Sequence, residues 1–199
     1  MTMSALLLSC LLAVNASAAP VKKEKKTVQP KTRQALVEGV CSFEVPQNWQ
    51  LEPAPYVKQT GVPGITASAP GISAEQLASI SVSYYPPNNK IYGSSTAYIS
   101  KQTEPGLSPV GRKVGKPQPA RLGALEASVM ELETLLLYPP EALSPKKVPV
   151  KEKIVVADAG KGFFVVRCSA AKSLYVRMSK HFDAALRTFK QQFPAVSPK

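Results

Sequence analysis

The sequence predicts an α/β (α+β) domain, an α/β/α sandwich with a mainly antiparallel central sheet and a long amphipathic C-terminal helix. Three observations carry this. Short runs of alternating apolar and polar residues recur between positions 40 and 168. Asp158-Ala159-Gly160-Lys161 separates two such runs with hairpin-turn chemistry. Leu174, Met178, Phe182, Ala185, Leu186, Phe189 and Phe193 then fall on one helical stripe, with Lys180, Asp183, Arg187 and Lys190 opposite.

The elements follow in order. Val40 to Pro46 alternates so that Cys41, Phe43 and Val45 share one face of a strand, which Pro46 ends. The turn after it delivers Trp49, the only tryptophan, as a core plug or a ligand platform. Residues 53–73 read as loop, because prolines and glycines interrupt them at short intervals. Leu77 to Tyr85 alternates as a strand, and Ser94-Ser95 caps a short helix that stops near Thr103. Val114 to Arg121 and Ala124 to Leu137 read as paired strands around Leu122-Gly123. A proline-rich connector over 139–149 leads to strands at Val150 to Ala157 and Gly162 to Cys168. In Phe163-Phe164-Val165-Val166 both faces are apolar, which predicts a strand covered on both sides. Asp183 and Arg187 are spaced for an exposed helical ion pair.

The chain has 199 residues, 44% of them hydrophobic, enough for one core but not for two. Its 19 prolines follow no period, which excludes collagen-like and repeat architectures. The expected organisation is a signal peptide over 1–18, a disordered basic linker over 19–37, one domain over 38–193 and a disordered tail over 194–199. Residues 5–14 are an uncharged apolar run followed by Ala16-Ser17-Ala18, the layout of a secretory signal cleaved between Ala18 and Ala19. A spanning helix needs about 20 apolar residues, so this run is too short for one. Leu7-Leu8-Ser9-Cys10 partly matches a bacterial lipobox, which leaves acylation at Cys10 as the alternative to an ordinary cysteine of the apolar region. Either way the protein is expected outside the cytoplasm, periplasmic or secreted.

The formal charge of +12 is uneven. Residues 21–33 carry +5, residues 34–160 balance to zero, and residues 161–199 carry +7. The arm holds Lys22, Lys23, Lys25 and Lys26, candidates for contact with anionic membrane or polysaccharide, or else a solvated spacer. Nucleic acid is not expected as a partner of an exported chain. Deleting Val21 to Arg33 is expected to leave the melting temperature unchanged.

Cys41 and Cys168 remain after signal removal, and an even pair in an exported protein is a candidate disulfide; the alternative is two small buried thiols. Arg112, Lys113, Lys116 and Arg121 form a second candidate anion-binding edge, or protective charges on an exposed hairpin. Tyr84, Tyr85, Tyr92 and Tyr98, beside Pro86-Pro87, are a candidate aromatic lip, or packing between sheet and helix. No catalytic residue, metal ligand or cofactor site is assigned. His181, the one histidine, has no serine, cysteine or carboxylate arranged around it in sequence, and no phosphate loop or Gly-x-Ser-x-Gly frame occurs.

The run Cys41-Ser42-Phe43-Glu44-Val45-Pro46-Gln47-Asn48-Trp49, the segment Gly115 to Ala127 and the closing Gly162-Phe163-Phe164-Val165-Val166 through Ser169-Ala170-Ala171 to Leu186-Arg187-Thr188-Phe189 resemble the PsbP-like family, with the bacterial envelope proteins of DcrB and LpqN type. The resemblance spans most of residues 38–193. It implies the sandwich fold and the binding of other proteins rather than catalysis, and it carries no functional residues across. The expected function is therefore an exported, non-catalytic binding or scaffolding module of the cell envelope that engages a protein partner of unknown identity. The alternatives are an exported enzyme, which a deep pocket of convergent polar groups would favour, and a small-ligand carrier, which an apolar cavity beneath the final helix would favour.

Overall fold

The computed structural model describes residues 31–54, 60–71, 76–104 and 111–193. The signal segment with Cys10, Ala18 and Ala19, the arm lysines 22, 23, 25 and 26, and the tail 194–199 lie outside these residues.

Among the described residues, eleven strands form two antiparallel sheets. The small one has the order β1-β2-β11, from β1 (Thr32–Val37), β2 (Cys41–Pro46) and β11 (Lys190–Gln191). The large one runs β3 (Gln50–Pro53), β4 (Gly64–Ser68), β5 (Ala78–Tyr85), β10 (Phe163–Ala171), β9 (Lys146–Asp158), β8 (Leu125–Tyr138), with β6 (Lys113–Val114) and β7 (Gln118–Leu122) sharing the free edge of β8. Helix α1 (Ser95–Thr103) lies on one face of the large sheet, and α2 (Tyr175–Thr188) with the small sheet covers the other.

The period-two rule for strands explains the two layers. Along β10, Phe164, Val166, Cys168 and Ala170 point into the larger core, where they meet Phe43 and Val45 of β2 and Met178, Phe182 and Ala185 of α2. Phe163 and Val165 point the other way, into a second core with Met130, Leu132, Ile154 and Val156 beneath Tyr98 of α1. The apolar run at 163–166 is thus covered on both sides, and burying each such phenylalanine contributes roughly 1.5–3 kcal/mol. The cap of α1 is as its sequence indicates: Ser94 Oγ accepts from the Ala97 amide at 3.0 Å.

Five sequence expectations are corrected. Residues 32–37 are not linker but strand β1, paired with all of β2, and the Arg33 guanidinium donates to the Trp49 carbonyl. Ala35 and Val37 enter the core, so the domain begins at least six residues before 38 and deletion through Arg33 removes a working part of it. The Pro/Gly-rich stretch 53–73 holds β4, because Gly64-Ile65-Thr66-Ala67-Ser68 is itself a strand between its punctuating residues, and β3 runs up to its first residue, Pro53. The strand expected over 114–121 is split into β6 and β7 around Gly115, whose amide still bonds the Glu131 carbonyl at 2.8 Å, and Pro117, which has no amide to give. Finally, α2 stops at Thr188: Phe189 and Phe193 continue the apolar stripe in extended chain, with Lys190-Gln191 adding a strand to β2. Asp183 does not pair with Arg187; its carboxylate takes Lys153 Nζ of β9 at 3.1 Å, a tie from helix to sheet.

Gly123 fixes how the β7–β8 turn meets the end of α2. Its φ is +57°, its amide bonds the Leu186 carbonyl at 2.9 Å, and a Cβ there would stand 2.4 Å from the Phe189 carbonyl oxygen. Gly39 has a similar φ of +67° but open space around it. Gly39→Ala is therefore expected to cost about 1 kcal/mol, the left-handed penalty alone, and Gly123→Ala about 2 kcal/mol more, because backbone must move. Chemical denaturation of the two variants checks the difference.

Candidate functional site

The small sheet and α2 seal one face of the large sheet, whereas α1 covers only the β8–β9 side of the other. What remains open is a cleft of about 580 Å³ over β3, β4, β5 and β10. Its floor is polar because of register. On β5 the alternation Ala78-Ser79-Ile80-Ser81-Val82-Ser83 sends Ile80 and Val82 into the core and all three serines into the cleft. Pairing then aligns them across the sheet. Thr66, Ser81 and Arg167 stand opposite one another on β4, β5 and β10, with Glu52 of β3 ending that row. Ser68, Ser79 and Ser169 form the next row, which ends in Glu152 of β9. Tyr85 and Tyr98 make the wall on the α1 side. Gly64 keeps the floor low beside Ser83, since a Cβ there would meet the Val82 carbonyl oxygen at 2.6 Å.

Arg167 is the one cation among the residues lining the cleft. Its Nη2 donates to the Tyr98 hydroxyl at 3.0 Å, and its Nη1 lies 3.8 Å from Glu152 Oε1, which also accepts from Ser169 Oγ at 2.6 Å. Burial disfavours its charge, but Tyr98 and Glu152 outweigh that and hold its pKa above the usual arginine value. Tyr98 is 2% exposed; burial raises its pKa, and Arg167 only partly opposes this, so it stays a neutral hydroxyl. A guanidinium has more N–H groups than these contacts occupy, and none of its nitrogens is both buried and unpartnered. The arrangement is a donor array: a fixed guanidinium and a field of hydroxyls, with no imidazole to activate any of them.

The sequence-derived candidates are distributed differently. Cys41 and Cys168 are both buried and both free thiols, on β2 and β10. Of the two readings, the structure has the buried thiols and not the candidate bridge: each is packed as a small apolar side chain of the larger core, and burial pushes both up to about 12. The tyrosine lip is split by the period of β5. Tyr84 turns to the larger core, against Phe164 and Phe193 at 5.1 Å each, with its hydroxyl on the Lys161 carbonyl. Tyr85 turns to the cleft side, stacked on Phe163 at 4.8 Å, where Tyr92 meets Tyr98 at the same distance. The basic edge is dispersed: Arg112 donates to Gln102 at 2.9 Å, Lys113 faces Glu133 on one side of the sheet, Arg121 faces Glu126 on the other, and Lys116 is exposed between them. Trp49 is core, in edge contact with His181 at 5.4 Å, on the face opposite the cleft. Among the described residues no group of three His, Cys, Asp or Glu side chains is placed to hold a metal, and no helix is long and apolar enough to cross a membrane.

The cleft residues carried a signal that sequence reasoning passed over. Arg167 interrupts the otherwise uncharged run Phe163 to Ala171, and the β5 serines are the polar half of an alternation whose apolar half is core. A charge in a strand buried on one face marks where the other face is open.

Among solved structures, the chain is similar to cyanobacterial PsbP (CyanoP) from Synechocystis sp. PCC 6803, with a TM-score of 0.52 and 11% identity over 87% of this chain and 99% of that one. The fold is PsbP-like. A Pseudomonas aeruginosa protein of unknown function, PA94, titled a putative regulator, is similar with a TM-score of 0.46 and 12% identity, over 84% of this chain and 97% of that one. LpqN of Mycobacterium tuberculosis, involved in cell envelope biogenesis, gives 0.42 and 18%, over 76% and 82%. No protein-family model matches the sequence, and no curated protein does. At these identities the PsbP-like likeness describes the path of the chain, and the cleft rests on the side chains found here.

Two measurements check the electrostatics of this PsbP-like domain. Cys41 and Cys168 are expected to stay unreactive to a thiol reagent in the native protein at mildly alkaline pH and to titrate together once it is unfolded in denaturant without reductant. For His181, burial and then the nearby Arg177 lower the pKa below its ordinary 6.5. The unfolded chain therefore binds this proton more readily, and the contribution of neutral His181 to stability, present above 6.5, is lost as pH falls below that value and on through the lower folded-state pKa. Its single imidazole NMR titration should have a midpoint below 6.5, and His181→Phe should flatten the acid limb of stability against pH.

Proposed function

We propose that the protein is an exported, non-catalytic binding module of the cell envelope, and that it engages its partner through the open cleft of the large sheet. The observation that carries this is the cleft itself. A covered sheet face needs no row of serines, and a half-buried arginine on a strand needs other groups to offset its lost hydration. Here Tyr98 and Glu152 hold Arg167 in place while the hydroxyls of Thr66, Ser79, Ser81 and Ser83 face the cleft, open to a second molecule. The apolar segment with Ala16-Ser17-Ala18 supports export. Binding is favoured over catalysis by the composition of the site: Ser169 is hydrogen-bonded to a carboxylate already engaged by Arg167, and the only histidine lies on the other face.

A photo-crosslinking residue placed at Thr66 in the cleft, and as control at Lys180 on the exposed side of α2, tests this in intact cells. The expected result is an adduct with an envelope component from position 66 and not from position 180. Equal adducts from both positions, or none from position 66, would overturn the assignment of the cleft.

A further inference from the structure

We propose that Arg167 is a carboxylate receptor: the cleft takes a ligand bearing a single carboxylate, seated on the guanidinium and the Ser81 and Thr66 hydroxyls, with the rest of the ligand against Tyr85 and Val165. The proposal deepens the binding reading above and rests on it. Its starting point is register, which places Ser81 directly opposite Arg167, and Thr66 directly opposite Ser81, so that one cation and two hydroxyls form a single line on the cleft floor. A guanidinium held by Tyr98 at 3.0 Å and by Glu152 at 3.8 Å has its plane fixed before any ligand arrives. The N–H groups left over from these two contacts, held in that plane, can donate to a carboxylate, and the adjacent hydroxyls donate to its remaining lone pairs.

The charges nearby limit the ligand to one negative charge. Glu152 lies against the guanidinium on the β9 side, and Glu52 stands exposed at the far end of the same row. Arg167 is thus the one cation beside two carboxylates, so a monoanion relies on the guanidinium N–H groups and the floor hydroxyls to offset this charge, and a phosphate dianion would face the same repulsion twice over. A peptide added as an extra strand is disfavoured here, because the floor is a sheet face whose backbone groups are already paired between β4, β5 and β10. The carboxylate can belong to a small free acid or to a peptide C-terminus, and the two sources are separable by experiment.

The test uses the folded protein labelled at its backbone amides and arginine side chains, titrated with benzoate, methyl benzoate and phenyl phosphate and followed by NMR. The ring is common to the three probes and only the head group differs. Saturable shifts at Arg167 and Ser81 with benzoate are expected, no response to methyl benzoate, and phenyl phosphate weaker by roughly tenfold or more. Arg167→Met should abolish the benzoate response, and Arg167→Lys should weaken it roughly tenfold, since a point charge cannot replace the fork. If Arg167→Met does not fold, Ser81→Val, which keeps the strand and removes the floor hydroxyl, takes its place and should weaken benzoate. Ala-Ala-Phe with a free C-terminus, against its amide, separates the sources: tighter binding than benzoate identifies a chain end, weaker binding a small acid. An equal response to methyl benzoate, an equal response to the peptide amide, stronger binding of phenyl phosphate, or shifts confined to the α2 face would overturn the proposal. Crosslinking from position 66 without any benzoate response would remove the carboxylate and leave the cleft as a binding site; failure of both would remove the cleft as well.

Discussion

Everything in this molecule depends on the register of β10 between β5 and β9. One strand, buried at the centre of the large sheet, must place Phe164, Val166, Cys168 and Ala170 against α2 and the small sheet, and at the same time turn Phe163, Val165, Arg167 and Ser169 to the opposite side. A slip of a single residue would exchange the faces and bury Arg167 among Phe182, Met178 and Phe43, away from the Tyr98 hydroxyl that holds it. The long hairpin partner β9 and the serine-bearing β5 each lock this register along nearly the whole of β10.

The two faces then diverge in purpose. The face beneath α2 is closed by aromatic and branched side chains from four parts of the chain, including the first strand and the extended segment after the helix. The other is closed only where α1 reaches, and the boundary between closed and open runs through Tyr98, which is core on one side and a hydrogen-bond acceptor for Arg167 on the other. The same tyrosine thus joins the packing of α1 to the orientation of the one cation lining the cleft. A PsbP-like fold supplies the frame, and the serine rows and Arg167 are what this sequence writes on its exposed half.

Much of the frame was legible in the sequence, because the strands of the central sheet alternate cleanly and α2 is strongly amphipathic. Cys41, Phe43 and Val45, or Met178, Phe182 and Ala185, could be assigned to the core from spacing alone. The edges were less legible. Thr32–Val37 follows a run of lysines and reads as its continuation, and Gly64–Ser68 is hidden between prolines and glycines; both are short strands whose identity comes from the neighbours they pair with. The cleft was the least legible part, because it is built across strands. Thr66, Ser81 and Arg167 are far apart in sequence and become one row only when pairing aligns them. The tyrosines mislead for the related reason that adjacent residues of a strand, Tyr84 and Tyr85, belong to opposite faces.

The register of β10 is open to direct measurement through interstrand nuclear Overhauser effects in the labelled domain. With this register, cross-peaks pair Arg167 with Ser81 on one side and with Ile154 on the other, continuing to Val165 with Ser83 and Val156. Cross-peaks pairing Arg167 with Val82 or Val155 would contradict it, because the arginine would then face the core and the cleft would lose the group on which its function is argued.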